Sequence, residues 1–459
     1  MSATDPLPRQ VTTLGLGLFG GGAGAARYFA ERGVRVVVAD TRNEQALAES
    51  LDTLKDLRLD YRLGRPHAAE DFAGSELVIV NPGVPPDSPA LEMARRAGAR
   101  LDTEINLLFR LAPAPVAAVT GTNGKSTTVA LLGEMLRASG RRTWVGGNLG
   151  GSLLPEVDRM SAGDVVVLEI SSFQSQRMPW SGVAPRLGAV LNITPNHLDR
   201  HADMAEYIAA KKELLRRQGP DDFAVLNGED PVLRSWADAG AGTKFFFGAP
   251  EEAARGFRLD GDTVRLWRPG ARAEARLAAM KIPGRHNRFN ASAAAVSAWL
   301  LGAPPEAIER AACEFTGLPD RIEFVAERNG VRYYNDSIAT TPESTLAALE
   351  AFECPLLLIA GGSSKNLSFA EVGRRMAARA KAVVLIGRTA GEIETAIRAG
   401  GPRPPLLRRA AGLPEAVRLA AGLAQPGDAV ALSPACASFD MFRNYAERGR
   451  CFRDAVRAL

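Results

Sequence analysis

The chain has 459 residues, 46% hydrophobic and 24% charged, an ordinary balance for a soluble globular protein with room for two to four domains. A formal net charge of +4, thinly spread, leaves no nucleic-acid footprint and no basic membrane patch. Four cysteines without C-x-x-C spacing read as isolated reduced thiols, and no apolar leader or membrane-length apolar run is present, so a cytoplasmic protein is expected.

In chain order, residues 11–14 predict a short strand, 20–32 a helix, 34–40 a second strand and 77–80 another. Strands alternating with helices predict a parallel doubly wound sheet, a Rossmann-like domain over residues 1–110. Gly15-Leu16-Gly17-Leu18-Phe19-Gly20 lies between the first strand and the helix, and Asp40 ends the next strand 20 residues past Gly20. That is the dinucleotide fingerprint with its ribose-binding acid. An NAD(P)-dependent dehydrogenase is therefore one reading of the segment; a generic nucleotide site or a structural glycine turn is the other.

The Pro-containing stretch 111–115 reads as a stiff linker into a second segment, 111–316. Its first strand, 116–119, runs into Thr120-Gly121-Thr122-Asn123-Gly124-Lys125-Ser126-Thr127 and then a helical pattern. Strand, Gly-rich turn, Lys-Ser and helix make a nucleotide phosphate cradle of the ATPase type. Backbone N–H groups face anionic oxygens, Lys125 neutralises β/γ-phosphate charge, and the Ser126 hydroxyl can hold Mg²⁺. The turn is tighter than the usual one, with Val119 at the place of the first glycine. Glu169 ends the apolar strand 165–170, where side chains face a ligand crevice, and reads as a further Mg²⁺ ligand. His197 and His201 stand four apart, but the rest of a zinc signature is missing. On composition alone, Lys211 and Lys212 belong to a solvated helix face. The third segment, 317–459, alternates strands (331–334, 355–360, 382–386, 429–432) with helices, the last expected over 439–458.

Six motifs in fixed order carry a resemblance: 121–127, Glu169-Ile170-Ser171-Ser172, Asn196-His197-Leu198-Asp199, Gly284-Arg285-His286-Asn287, Gly317-Leu318-Pro319-Asp320-Arg321 and Asn335-Asp336-Ser337. Together they resemble the Mur ligases of peptidoglycan synthesis. Ser433-Pro434-Ala435-Cys436-Ala437-Ser438-Phe439-Asp440 is similar to the glutamate-adding branch of that family. The resemblance spans essentially the whole chain.

It implies a three-domain α/β enzyme: an N-terminal UDP-substrate domain (1–110), a central ATP domain (111–316) and a C-terminal glutamate domain (317–459). The implied activity is ATP-driven amide formation through an acyl phosphate, with UDP-MurNAc-L-Ala and D-glutamate as substrates, L-glutamate being the alternative acceptor. A monomer is expected, without nucleic-acid or membrane partners. ATP would meet Gly121, Thr122, Asn123, Gly124, Lys125, Ser126, Thr127, Asn290, Arg321 and Asp336. Mg²⁺ would meet Ser126, Glu169, His197 and a carbamylated Lys211, with Lys125, His197 and Lys211 serving catalysis. The UDP-substrate would meet Leu18, Phe19, Asp40, Thr41, Arg42, Asn81, Gly83 and Asn148, which turns the first glycine motif from NAD to uridine. Glutamate would meet Thr340, Lys365, Ser438, Phe439 and Tyr445. One departure stands out. The family pattern Asn-Asp-Ser-Lys reads Asn335-Asp336-Ser337-Ile338 here, so a cation expected near the acceptor is absent.

Overall fold

A computed structural model describes residues 6–17, 20–180, 182–197, 200–364, 367–401 and 404–459. Leu18, Phe19 and Lys365 lie outside the described residues. The chain packs as two compact units, 1–277 with 290–311 and 278–289 with 312–459.

The first unit holds two sheets. Five parallel strands, β1 (Gln10–Leu14), β2 (Arg35–Asp40), β3 (Asp60–Leu63), β4 (Leu77–Val80) and β5 (Arg100–Asp102), lie in the order β3-β2-β1-β4-β5. The order reverses beside β1, the place where doubly wound sheets bind ligands. The second sheet comprises β6 (Val116–Thr120), β7 (Thr143–Gly147), β8 (Val165–Glu169), β9 (Leu187–Val190), β10 (Phe223–Asn227), β11 (Thr243–Phe247), β12 (Gly256–Asp260), β13 (Thr263–Arg268) and β14 (Ala271–Arg276). Its order is β14-β13-β12-β11-β10-β9-β6-β8-β7, parallel from β7 through β12 and antiparallel beyond. β6 and β8 are wholly buried apolar runs ending in Thr120 and Glu169, as expected of strands covered on both faces. One apolar cluster joins the two sheets, from Val11 and Phe29 through Ile105 and Leu154 to Val166 and Tyr207.

The second unit is built on β15 (Glu323–Arg328), β16 (Val331–Asn335), β17 (Leu356–Gly361), β18 (Ala380–Ile386), β19 (Leu406–Arg409) and β20 (Ala429–Leu432), ordered β15-β16-β20-β17-β18-β19. Only β15 is antiparallel. Alternate β17 side chains feed two cores: Leu356, Leu358 and Ala360 one, Leu357 and Ile359 the other. Period-two burial on both faces is the mark of a sheet sandwiched between helices.

Two local expectations change. The terminal helix spans Tyr445–Arg457, because the Asn444 side chain accepts the Glu447 N–H and caps it there. His197 and His201 lie outside any helix, so their spacing does not place them on one helical face. Among the described residues no helix is long and apolar enough to cross a membrane.

Candidate active site

The phosphate turn leaves β6 and enters the helix Lys125–Ala138 through Gly124, whose φ of 84° is a left-handed N-cap that a side chain would strain. A Cβ there would also collide with the Asn290 amide, so Asn290 packs directly on the turn. The neighbouring strand end braces it. Thr122 N–H donates to the Asn192 carbonyl (2.9 Å), Asn123 N–H to Asn192 Oδ1 (2.8 Å), and Asn192 Nδ2 back to the Asn123 carbonyl (3.1 Å). Lys125 Nζ donates to the Thr122 carbonyl at 2.8 Å. The lysine therefore arches over its own turn, with N–H groups at the helix start facing outward.

Lys211 lies beneath the same turn, on the helix Met204–Arg216 that Asp203 caps through the Glu206 N–H. Only 1% of Lys211 is exposed. Its Nζ donates to the Gly121 carbonyl (2.9 Å) and Thr120 Oγ1 (3.2 Å). Burial, reinforced by the charge of Lys125 and opposed by Glu169, pulls the amine down to about 7. The solvated-face reading of Lys211 is thus overturned: the side chain turns inward.

Glu169, at the end of β8, is 2% exposed. Its Oε1 accepts from Asn148 Nδ2 (3.0 Å), while the buried Oε2 has no hydrogen-bond partner. An orphaned carboxylate oxygen in a buried setting costs free energy unless a cation or donor completes it. His197 is exposed, has a φ of 55°, and meets the Phe173 ring edge-on at 5.2 Å. His201 is buried, stacked on Phe173 and bonded through Nε2 to Ser172 Oγ (3.0 Å).

The first glycine turn has a different lining. Asp40 is buried at the end of β2, and its oxygens accept Leu16 N–H (2.9 Å), Arg42 N–H (2.9 Å) and the Arg42 guanidinium (2.9 and 3.1 Å). Burial alone would raise its carboxyl, but the Arg42 bonds and the Leu16 N–H outweigh that and hold it below its ordinary value. Thr41 is exposed just past the strand end beside it. Asn81 Oδ1 accepts the Gly83 N–H at 2.8 Å, closing an Asx turn after β4. The structure also places Glu104 here: Oε1 accepts the Ser152 hydroxyl (2.5 Å), and burial, against that bond, pushes the carboxyl up to about 7.

In the second unit Asp336 is buried, accepting Ser433 Oγ–H (2.8 Å) and Ile322 N–H (3.3 Å). Burial outweighs these bonds and lifts its carboxyl to about 7. Thr340 N–H donates to the Ile338 carbonyl (2.7 Å), and buried Ser438 takes the Phe442 N–H (2.9 Å) on its carbonyl. Phe439 and Tyr445 are exposed beside it, and so is Arg321 at the start of the segment. Arg448, which no motif pointed to, is fully buried here. It donates to Ser337 Oγ (3.0 Å) and to the carbonyls of Ser337 (2.8 Å), Cys436 (3.1 Å) and Ala437 (3.3 Å). The loop around Ile338 thus keeps a guanidinium one residue from the missing lysine.

Three family matches cover this architecture in order: the Mur ligase MurD-like N-terminal domain at residues 9–102, the Mur ligase middle domain at 119–298 and the Mur ligase glutamate ligase domain at 320–436. The chain belongs to the Mur ligase family. Among its relatives are proteins named UDP-N-acetylmuramoylalanine--D-glutamate ligase. That of Geobacter metallireducens is 44% identical, covering 97% of this chain and 96% of the relative; that of Symbiobacterium thermophilum is 42% identical, covering 99% of both. Solved structures with the same fold include the UDP-N-acetylmuramate-alanine ligase MurC of Thermotoga maritima (TM-score 0.58, 21% identity, 98% of this chain and 99% of that one). Another is MurF of Acinetobacter baumannii (0.56, 16%, 91% and 93%). The family sets the chain among ligases, and the dehydrogenase reading falls.

Proposed function

We infer that this chain is an ATP-dependent ligase that joins D-glutamate to UDP-N-acetylmuramoyl-L-alanine in peptidoglycan precursor synthesis, the activity named for its full-length relatives. Residues 1–110 would hold the nucleotide-sugar, 111–316 ATP and 317–459 glutamate. The observation that carries the reading is the buried Lys211 amine under the phosphate turn, near neutrality and close to the half-unpartnered Glu169. A simple nucleotide-binding module has no use for such a pair.

The alanyl carboxylate attacks the γ-phosphorus of ATP, the bond to the β-phosphate oxygen breaks, and ADP leaves with an acyl phosphate formed. The glutamate amine then attacks the acyl carbon, a tetrahedral intermediate collapses, phosphate departs and the amine loses a proton. The barrier is mostly positioning and charge neutralisation. Lys125 would exchange the Thr122 carbonyl for phosphate oxygens, and the N–H groups from Thr122 to Thr127 with Asn290 would hold the chain of phosphates. Arg321 and Asp336 complete the ATP contacts in this reading. Leu18, Phe19, Asp40, Thr41, Arg42, Asn81, Gly83 and Asn148 would take the sugar-nucleotide; Thr340, Lys365, Ser438, Phe439 and Tyr445 the glutamate.

Mg²⁺ fits the donor set: the orphaned Glu169 Oε2 and the Ser126 hydroxyl offer hard oxygens, and His197 with a carbamylated Lys211 would serve a second ion. Among the described residues no three His, Cys, Asp or Glu side chains cluster, so phosphate oxygens and water would supply the other ligands. Bound there, Mg²⁺ would neutralise phosphate charge. Carbamylation needs a neutral amine: the Nζ lone pair attacks the carbon of CO₂, an N–C bond forms as one C=O π bond opens onto oxygen, and one proton leaves nitrogen to solvent. Burial supplies that amine near pH 7.

Phosphate release with ATP, Mg²⁺ and UDP-MurNAc-L-Ala, run with D-glutamate and with L-glutamate, tests the reading. Release with D-glutamate is expected. Release with neither removes the assignment, and release with L-glutamate alone makes Ile338 a marker of the other acceptor.

A further inference from the structure

The Asn81–Val84 turn is gripped by two arginines from outside its own sheet. Arg177 is 4% exposed and donates through Nη1 to the Asn81 carbonyl (2.7 Å) and through Nη2 to the Val84 carbonyl. Its own carbonyl accepts Asn106 Nδ2 (2.9 Å), from the helix Glu104–Leu111, so its backbone is tied to that helix and its side chain to the turn after β4. Arg200 Nη2 donates to the Gly83 carbonyl (2.9 Å), and its guanidinium lies over the Phe173 ring. Burial, with the like charge of Arg200, pulls Arg177 down to about 10. Neither arginine pairs with a carboxylate among the described residues.

Two cations converging on one short turn, with neutral carbonyls as acceptors, are an expensive way to join two sheets. Apolar packing does that already across the shared core. What the arginines fix is the carbonyl plane of the turn. The turn in turn sets the Asn81 amide, which lies against Gly17 so closely that a Cβ there would collide with it. Arg177 also follows Glu169 by eight positions, through the Ser171 capping box and the short helix Ser172–Ser175. One brief segment thus carries the metal-facing carboxylate at its start and the clamp on the substrate turn at its end.

We propose that Arg177 is a positioning residue for the sugar-nucleotide: it fixes the Asn81–Val84 turn, and with it the Asn81 amide, in register with the glycine loop. The proposal rests on the assignment of Asn81 and Gly83 to the UDP-substrate. Its test is steady-state kinetics of the full chain, varying each substrate separately, for the wild type and for Arg177→Met, Arg177→Lys and Asn81→Ala, with Tm measured alongside. Arg177→Met raises KM for UDP-MurNAc-L-Ala about tenfold, with KM for ATP and glutamate within about twofold of wild type. Arg177→Lys, which keeps the charge but reaches one carbonyl at a time, falls between the two. A fall in Tm with all three KM values unmoved, or moved together, reduces Arg177 to a structural staple and overturns the proposal. If Arg177→Met does not fold, a wild-type KM in Arg177→Lys overturns it equally. A raised KM in Asn81→Ala beside an unchanged one in Arg177→Met sinks the proposal and leaves the substrate assignment standing. An unchanged KM in both sinks the two together.

Discussion

The first unit contains two glycine turns that enter their helices through the same left-handed glycine cap and differ in the side chains around it. Gly20 caps the helix Gly21–Ala30 with φ 82° and ψ −15°; Gly124 caps Lys125–Ala138 with φ 84° and ψ −9°. Each follows a parallel strand and each ends at a helix N-terminus. Around the first turn stand acids: Asp40, bonded to the Leu16 N–H, and Glu104, a buried carboxyl lifted to about 7. The second is set among bases: Lys125 over it, and Lys211, a buried amine drawn down to about 7, below it. In both places a helix N-terminus leaves backbone N–H groups without helical partners. Side-chain charge then decides what enters. A carboxylate suits ribose or uracil donors, and lysines suit a triphosphate.

If that contrast is correct, the largest effect belongs to the basic turn. Lys211→Ala should lower kcat by about a hundredfold or more, because among the described residues no other lysine is buried. For the wild type, activity lost in CO₂-free buffer should return with bicarbonate. With a folded value near 7, about nine-tenths of the amine is neutral at pH 8 and about a tenth at pH 6, so recovery at fixed dissolved CO₂ is faster at the higher pH. Equal recovery at both would break the link to the buried amine. Next comes Asp40→Asn, expected to raise KM for UDP-MurNAc-L-Ala by about ten- to thirtyfold and leave KM for ATP alone. A change in the ATP value would mean that the two turns do not divide the nucleotides.

The shared left-handed cap is tested by paired substitutions. Gly20→Ala meets nothing nearer than Gly151 Cα at 3.7 Å, so it costs about 1–2 kcal/mol of left-handed strain. Gly124→Ala adds the clash with Asn290 and should cost about 1 kcal/mol or more beyond that, read from chemical denaturation. A stability effect of similar size, but dependent on pH, belongs to Glu104→Gln. A carboxyl whose folded value is raised binds more protons folded than unfolded, so its cost grows as pH rises from about 4.5 to 7 and is complete above that. The variant should be more stable than wild type by about 1–3 kcal/mol at pH 8 and indistinguishable near pH 4. A difference that does not change with pH would mean that Glu104 is ionised in the fold.

Both turns were legible in the sequence because each packs strand end, glycines and helix start into fewer than ten consecutive residues. The three-sheet α/β plan was legible for the same reason: β1, β2, β6, β8, β17 and β20 are short apolar runs with clear ends. What escaped was set by neighbours distant in sequence. Asn192 braces the phosphate turn only because the sheet order puts β9 next to β6. Arg448 sits on a helix rich in Arg and Glu, where a solvated face is the natural reading, yet it points into the 436–438 loop. Lys211 was misread by composition for the same reason, and only the family resemblance turned it inward. Short edge and hairpin strands such as β3 and β12–β14 carry too few apolar residues to announce themselves.

The strand order of the second unit bears on how the protein is made. β20, residues Ala429–Leu432, lies between β16 and β17, which end well before it in the chain, at Asn335 and Gly361. During synthesis both strands leave the ribosome with an open edge facing the place that β20 will fill. Residues up to Leu432 must be translated before that gap can close, and the buried Arg448 and Phe452 come later still. A nascent chain stalled before residue 429 therefore presents two apolar strand edges, a template for aggregation that a chaperone or a protease would meet first.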